Sequence, residues 1–261
     1  MIKKITILFL IAMSVSSCVS RKKIVYFQDV STHTQNEGTS PVSYETRLKA
    51  DDLLLIIVSA PDPLAAQPFN LPLAGVMNSS VGSVDMANVQ ARYQSYLIDK
   101  EGNIQFPVLG KLKLAGLTRI EALSKLNAEL KKYINEPTVN LRILNYKISV
   151  IGEVARSGEF SLVSERITLL EALSMAGDLT IYGNRNRVWV IREADGVKTH
   201  NLIDLTSADF LNSPYYYLTQ NDVVYVEPNK TKMNSSMVGP NTTVLISALS
   251  LLLTTIALIT R

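Results

Sequence analysis

The sequence holds one cysteine, Cys18, and two histidines, His33 and His200. A lone thiol excludes an internal disulfide and a cysteine-built zinc site, and the histidines show no metal-ligand spacing. Charge is scarce too. Asp, Glu, Lys and Arg make up 19 % of 261 residues and leave a net +3. That is too little to suggest nucleic acid, and no basic stripe with interleaved aromatics occurs. There is no Gly-x-x-x-x-Gly-Lys-Ser/Thr phosphate loop, no Gly-x-Ser-x-Gly elbow and no His-Glu-x-x-His pair. These absences argue against an enzyme, and no metal or cofactor is expected.

Two groups of charged residues need weighing. Glu121, Glu171, Asp51, Asp52 and Asp99 could supply a carboxylate pair for glycoside hydrolysis. Glu121 and Glu171, however, stand at helix-capping positions, and Asp51 and Asp52 open a strand. Arg185, Arg187, Arg192 and Lys198 make one stretch locally basic, which would suit an acidic polymer. Charged hairpin edges that resist aggregation are the plainer reading.

What the chain does have is apolar ends. "MIKKITILFLIAMSVSSC" places Lys3 and Lys4 before a short apolar run and small residues before Cys18. That is the pattern of a secretory leader, too short to span. The cysteine directly after small residues resembles a bacterial lipoprotein signal, although Val15-Ser16-Ser17 departs from the usual residues before the cysteine. Arg21, Lys22 and Lys23 follow, suited to anionic headgroups. At the other end, "VLISALSLLLTTIALITR" (Val244 to Arg261) carries no charge before Arg261. As a helix it is roughly 25 Å long, near the lower limit for crossing a bilayer. Thr243, Ser247, Ser250 and Thr254 recur at i, i+4, i+7 and i+11 and share one face. That stripe could pack neighbouring helices, line a wet lumen, or bond back to the helix's own carbonyls.

Between the ends the pattern is mixed. Ser20 to Ser43 is polar and lacks periodicity, as in a tether. "DDLLLIIVS" (Asp51 to Ser59) reads as a strand, and Pro61 to Arg92 as a long loop that is functional or disordered. "YQSYLIDKEGNIQFPVLGKLKLAG" predicts a β-meander. A helix follows, capped by Thr118 and Glu121, with Ile120, Leu123, Leu126, Leu130 and Ile134 on its apolar face and Pro137 as its stop. "TVNLRIL" alternates as a strand. A second unit starts near Asn145: a strand "YKISVIGEV", a turn at Arg156-Ser157-Gly158, the partner "EFSLVS", and a short helix from Thr168 to Ala176 closed by Gly177. "RNRVWVIRE" and "KTHNLIDL" predict a hairpin across Asp195-Gly196, and "DVVYVEPNK" a last strand. "TRIEALS" and "TLLEALS" are near copies, weak evidence for two related α+β units.

Several motifs now resemble one family. "YLIDKEGNIQFPVLGKLKLAGLTRIEA" is similar to the core of the polysaccharide export domain. "ISVIGEVARSGEF" with "ITLLEALSMAGDL" looks like an SLBB domain, a β-grasp module. With Cys18 and the apolar C-terminal run, their order resembles the outer-membrane polysaccharide export (Wza-type) lipoproteins. The resemblance implies an α+β fold: a signal peptide at 1–17, a tether at 18–43 and an export domain at 44–144. An SLBB β-grasp domain at 145–230, a linker at 231–242 and a C-terminal transmembrane helix at 243–261 complete it. It also implies a homo-oligomeric ring in the outer membrane, lipid-anchored with its body in the periplasm. Capsular or extracellular polysaccharide would pass through it, and an inner-membrane co-polymerase, often a tyrosine kinase, would be its partner. Two rivals are a monomeric envelope lipoprotein that binds a glycan through its β-grasp unit, and a co-polymerase itself. The latter would need a longer, cysteine-free first segment and long coiled-coil helices.

If Cys18 is the lipidated first residue of the mature protein, mass spectrometry of the purified mature chain will show an acylated Cys18 at its N-terminus. An unmodified thiol, or cleavage elsewhere, refutes this.

Overall fold

The computed structural model describes residues 24–29, 46–71, 94–194, 196–237 and 240–259, apart from the side chains of 237, 240–243 and 257–259. Cys18, His33 and most of the tether lie outside the described residues.

The first unit is built on β1 (Leu53–Ser59), whose side chains are buried at Leu54, Leu55, Ile56 and Val58. After it come a short helix, α1 (Pro63–Ala66), and a 3-10 turn, Gln67–Phe69. Next are β2 (Tyr96–Leu97), the hairpin strands β3 (Asn103–Phe106) and β4 (Gly110–Lys113), the helix α2 (Arg119–Leu130) and β5 (Thr138–Ile143). β1 is the middle strand, antiparallel to β2 on one side and to β5 on the other, while β3 and β4 form a ladder of their own. The expected meander is therefore split. Asp99 divides it: its carboxylate accepts from the Asn103 backbone N–H (2.7 Å) and side-chain amide (3.2 Å), turning the chain between β2 and β3.

Two expectations about this unit are corrected. The loop expected from Pro61 to Arg92 begins as core structure, with Ala66 and Phe69 buried. The cause is Asn70, whose side chain accepts from Val58 N–H and donates to the Val58 and Ala66 carbonyls, folding the segment back on β1. The rest of that loop, 72–93, lies outside the described residues. The helix α2 ends at Leu130, well before Pro137, and Ile120 is 72 % exposed. Its buried side is Ala122, Leu126 and Leu130, and Ile134 reaches the core from the turn beyond. Each fully buried leucine here contributes about 1.5–3 kcal/mol.

The second unit runs through β6 (Lys147–Gly152), β7 (Gly158–Ser161), β8 (Ile167–Thr168) and the helix α3 (Leu169–Met175). It continues with β9 (Gly183–Ala194), β10 (Val197–Ile203), β11 (Tyr217–Leu218) and β12 (Val223–Pro228). Its five-stranded sheet has the order β10-β9-β12-β6-β7, with β12 parallel to β6 and the other pairs antiparallel. Ile148, Val150, Val188, Val190, Val224 and Val226 point to one face and pack with Leu169, Ala172 and Leu173 of α3. A helix across a mixed sheet is the arrangement expected of a β-grasp unit. Both capping boxes are present, Thr118 with Glu121 and Thr168 with Glu171. α3 ends in a Schellman motif: Asp178 N–H bonds to Leu173 O and Gly177 N–H to Ser174 O, with Gly177 at φ 75°. At Gly152, φ 95°, a Cβ would lie 2.1 Å from the Val226 carbonyl, so only glycine lets β6 and β12 approach.

The tether is not featureless over residues 24–29. Phe27 and Gln28 N–H groups bond to the Leu205 and Thr206 carbonyls, and Phe27 stacks on Phe210 at 5.5 Å. Asp29 accepts from the Ser207 hydroxyl and the Ala208 N–H. This stretch belongs to the second unit's core rim. After β12 come α4 (Lys230–Met237) and α5 (Pro240–Ile259). Among the described residues no helix is long and apolar enough to cross a membrane.

The buried Asp222 carboxylate carries the end of the sheet. It accepts from Arg192, from Thr219 N–H at 2.7 Å and from the Thr219 hydroxyl at 3.0 Å. Asp222→Ala leaves Arg192 without its counter-charge and should cost about 3–5 kcal/mol, seen as a lower denaturation midpoint. A loss under about 1 kcal/mol, the value of a surface pair, would show the pair to be peripheral.

Candidate functional site

Three places can carry function, and none resembles a catalytic centre. The carboxylates weighed for hydrolysis do not converge. Glu121 and Glu171 cap helices, Asp99 holds a turn, and Asp52 is buried between the units. Among the described residues no three His, Cys, Asp or Glu could hold a metal ion. The basic stretch is not a free patch either. Arg185 is buried, with its guanidinium 5.2 Å from the Tyr26 ring; Arg187 pairs bidentately with Glu227; Arg192 pairs with Asp222, and Lys198 with Glu193. Pairing with Arg187, helped by the Trp189 indole N–H, holds the Glu227 carboxyl below its usual range. An acidic polymer would find Arg187, Arg192 and Lys198 already paired and Arg185 buried.

The first place is α5. Every described side chain from Val244 to Ile256 is exposed, Leu245 and Leu251 by 70 % or more. Of the expected stripe, the Ser250 hydroxyl donates to the Ser247 carbonyl (2.8 Å) and Thr254 to the Ser250 carbonyl (2.6 Å). Thr255, off the stripe, bonds back in the same way. The Thr243 side chain lies outside the described residues. Within one chain these hydroxyls are satisfied by their own helix.

The second place is a cleft of about 360 Å³ lined by Tyr26, Phe27, Leu170, Leu173, Ser174, Gly177 and Asp178. The Tyr26 hydroxyl donates to Asp178, and burial, with Asp178 beside it, pushes that phenol's pKa up. Sequence reading missed Tyr26 and Phe27. Two adjacent aromatics in an otherwise polar stretch were the available signal.

The third place is the junction of the units. Asn145 Oδ1 accepts from Leu53 N–H (2.9 Å) and its Nδ2 donates to the Asp51 carbonyl (2.8 Å). Tyr146 donates to the Leu218 carbonyl, Thr46 to the Glu165 carbonyl, and Arg119 pairs with Glu165 at 3.1 Å. Beside them runs a groove of about 500 Å³ lined by Arg119, residues 140–144, residues 161–163 and Glu165.

Comparison with known proteins agrees with this division. Residues 40–144 match the polysaccharide biosynthesis/export protein family, and residues 146–226 match the SLBB domain. The chain is thus similar to polysaccharide export proteins over its first unit and to SLBB domains over its second. Among curated proteins it is 31 % identical over 179 residues to the EPS I polysaccharide export outer membrane protein EpsA of Ralstonia solanacearum, covering 62 % of this chain and 45 % of that one. The EpsA of Ralstonia nicotianae (strain ATCC BAA-1114 / GMI1000) is 34 % identical over 101 residues, 37 % of this chain and 26 % of its own. The chain thus matches less than half the length of these relatives.

Asp52 gives the junction a pH dependence. Burial pushes its pKa to about 6, against Lys49 N–H and the Gln220 amide, which favour the anion. A folded pKa above the unfolded one means the fold favours the protonated form. Its contribution is complete below the ordinary value of about 4 and is lost as pH rises through 6. Asp52→Asn should therefore raise stability at pH 7.5 by about 2–3 kcal/mol, and the gain should vanish near pH 4. Parallel melting curves at the two pH values check this, and an equal effect at both would reject it.

Proposed function

We propose that this chain is an outer-membrane component of polysaccharide export that works as a multi-copy assembly, with a capsular or extracellular polysaccharide as its cargo. The single observation that carries the reading is order: an export unit, an SLBB unit and then, beyond α4, the apolar helix α5. A helix with apolar side chains exposed over most of its surface is unfavourable in water and calls for lipid or neighbouring copies. The described part of α5 alone does not reach the length and apolarity of a membrane span; we take the whole run 243–261 as the membrane segment. The run from Val244 to Ile259 would be about 24 Å long, suited to the bacterial outer membrane, which is thinner than average. Its stripe of Thr243, Ser247, Ser250 and Thr254 would face water or the next copy. Cys18 would carry the lipid, the body would lie in the periplasm, and an inner-membrane co-polymerase would deliver the chain.

The relatives' names, which speak of export and the outer membrane, support this reading. One observation favours a second: the back-bonded hydroxyls of Ser250 and Thr254 are what a solitary anchor helix needs. The two readings separate by mass. In mild detergent the full chain should give a native mass several times that of one subunit. A monomer at every concentration favours the anchor. Single cysteines at Ser247, Ser250 and Thr254 should react with an aqueous thiol reagent or cross-link, and those at Leu249, Leu252 and Ile256 far less. Leu252→Arg should block insertion, at about 2.5–3.5 kcal/mol for a charge at mid-bilayer.

A further inference from the structure

The cleft beside α3 is built from two parts of the chain that lie far apart in sequence. Leu170 and Ser174 stand one turn apart on the same side of α3, and Asp178 follows just past its end. Tyr26 and Phe27 complete the lining from the seated segment 24–29. At about 360 Å³ the cleft falls within the usual range of ligand pockets, about 300–1,000 Å³.

Its lining divides by chemistry. Phe27 and Leu170 are half-buried and Leu173 buried, which gives an apolar surface. The polar groups beside it keep free capacity. Asp178 spends Oδ1 on the Tyr26 hydroxyl and Leu179 N–H, while its Oδ2 has no partner among the described residues. The exposed Ser174 hydroxyl has none among them either. Tyr26 touches a second charge with its ring: the Arg185 guanidinium lies 5.2 Å from the centroid. Arg185 is 6 % exposed, meets only the Thr180 and Gly183 carbonyls, and forms no ion pair among the described residues. Its Nε has no partner there. A buried cation without a carboxylate is costly, and this one stands against the phenol that Asp178 holds from its hydroxyl end. Asp178 and Arg185 push the Tyr26 pKa in opposite directions.

The two charges cancel, so neither an anionic nor a cationic ligand is favoured. A lipid tail would strand the Asp178 carboxylate away from water. A sugar ring suits the lining, with C–H groups on its faces for the apolar wall and hydroxyls on its rim for Asp178 Oδ2 and Ser174. We propose that this cleft is a saccharide site that holds a neutral sugar unit of the exported polymer, with residues 24–29 supplying one of its walls. This rests on the export reading above and gives the cargo a contact on the second unit. A ligand that needs both walls also stabilises the seated segment by mass action.

The test uses the full chain in mild detergent and short oligosaccharides released by partial hydrolysis of exopolysaccharide from the producing cells. Equilibrium dialysis should show binding, and amide hydrogen exchange should slow at Phe27 and Gln28 but not along β10. Ser174→Ala removes a hydroxyl that the fold does not use and should weaken binding about three- to tenfold, the value of one hydrogen bond. Asp178→Asn should weaken it by about tenfold or more, as for a charged acceptor, and Leu170→Trp should block it by filling the cleft. Oligogalacturonate, the acidic control, should bind more weakly; tighter binding overturns the neutral-sugar assignment. If the oligosaccharides do not bind, or bind all three variants equally, the site is wrong while the export reading stands. Binding lost on Tyr225→Ala instead puts the glycan on the opposite face of the sheet and also overturns the proposal. Cells that export normally without this protein overturn both readings.

Discussion

The side chain of Asn145 is the constraint on which the two units jointly depend. Just past β5, Leu144 is bonded to Leu53, and the next residue must leave the sheet to start β6. Asn145 prolongs the ladder with its amide, meeting Leu53 N–H and the Asp51 carbonyl as one more strand residue would. Losing the half-buried bond to Leu53 N–H would cost about 0.5–1.5 kcal/mol. Asn145 also occupies the single position between the stretches that match the export and SLBB families. The direction of β6, the placing of Asp52 beside Gln220 and the walls of the junction groove all follow from that one turn.

Each unit begins its helix the same way. A threonine caps, a glutamate three residues on returns the bond, and an Ala-Leu pair follows toward the core. The chemistry is local, so it is written in the sequence and survives in two different sheets. Charge is handled with similar economy: Arg187, Arg192 and Lys198 each meet an acid of their own unit.

Legibility followed the range of the interactions. The capping boxes, the Asp195-Gly196 hairpin and the Gly177 stop depend on neighbours in sequence, and all were readable. The early end of α2 was not, because Ile134 is buried through a turn rather than a helix face. Nor was the folding of Pro61 to Asn70 onto β1, which needs Asn70 to imitate a strand partner. As for the candidate site, the hydroxyl stripe of α5 could be listed from periodicity, but its back-bonding could not be chosen over the alternatives. The junction groove was invisible in sequence because its walls are two strand edges that meet only in three dimensions.

The seating of residues 24–29 sets the order in which the chain can fold. Asp29 bonds to Ser207 across 178 residues of sequence, and Tyr26 to Asp178 across 152. At synthesis rates of about 5–20 residues per second the segment exists for roughly ten to thirty-five seconds before its seat is made. Contacts of such separation close late, after the loop-closure entropy has been met by the sheet itself. The second unit must therefore assemble with Phe210 and Arg185 uncovered and receive residues 24–29 as its final piece.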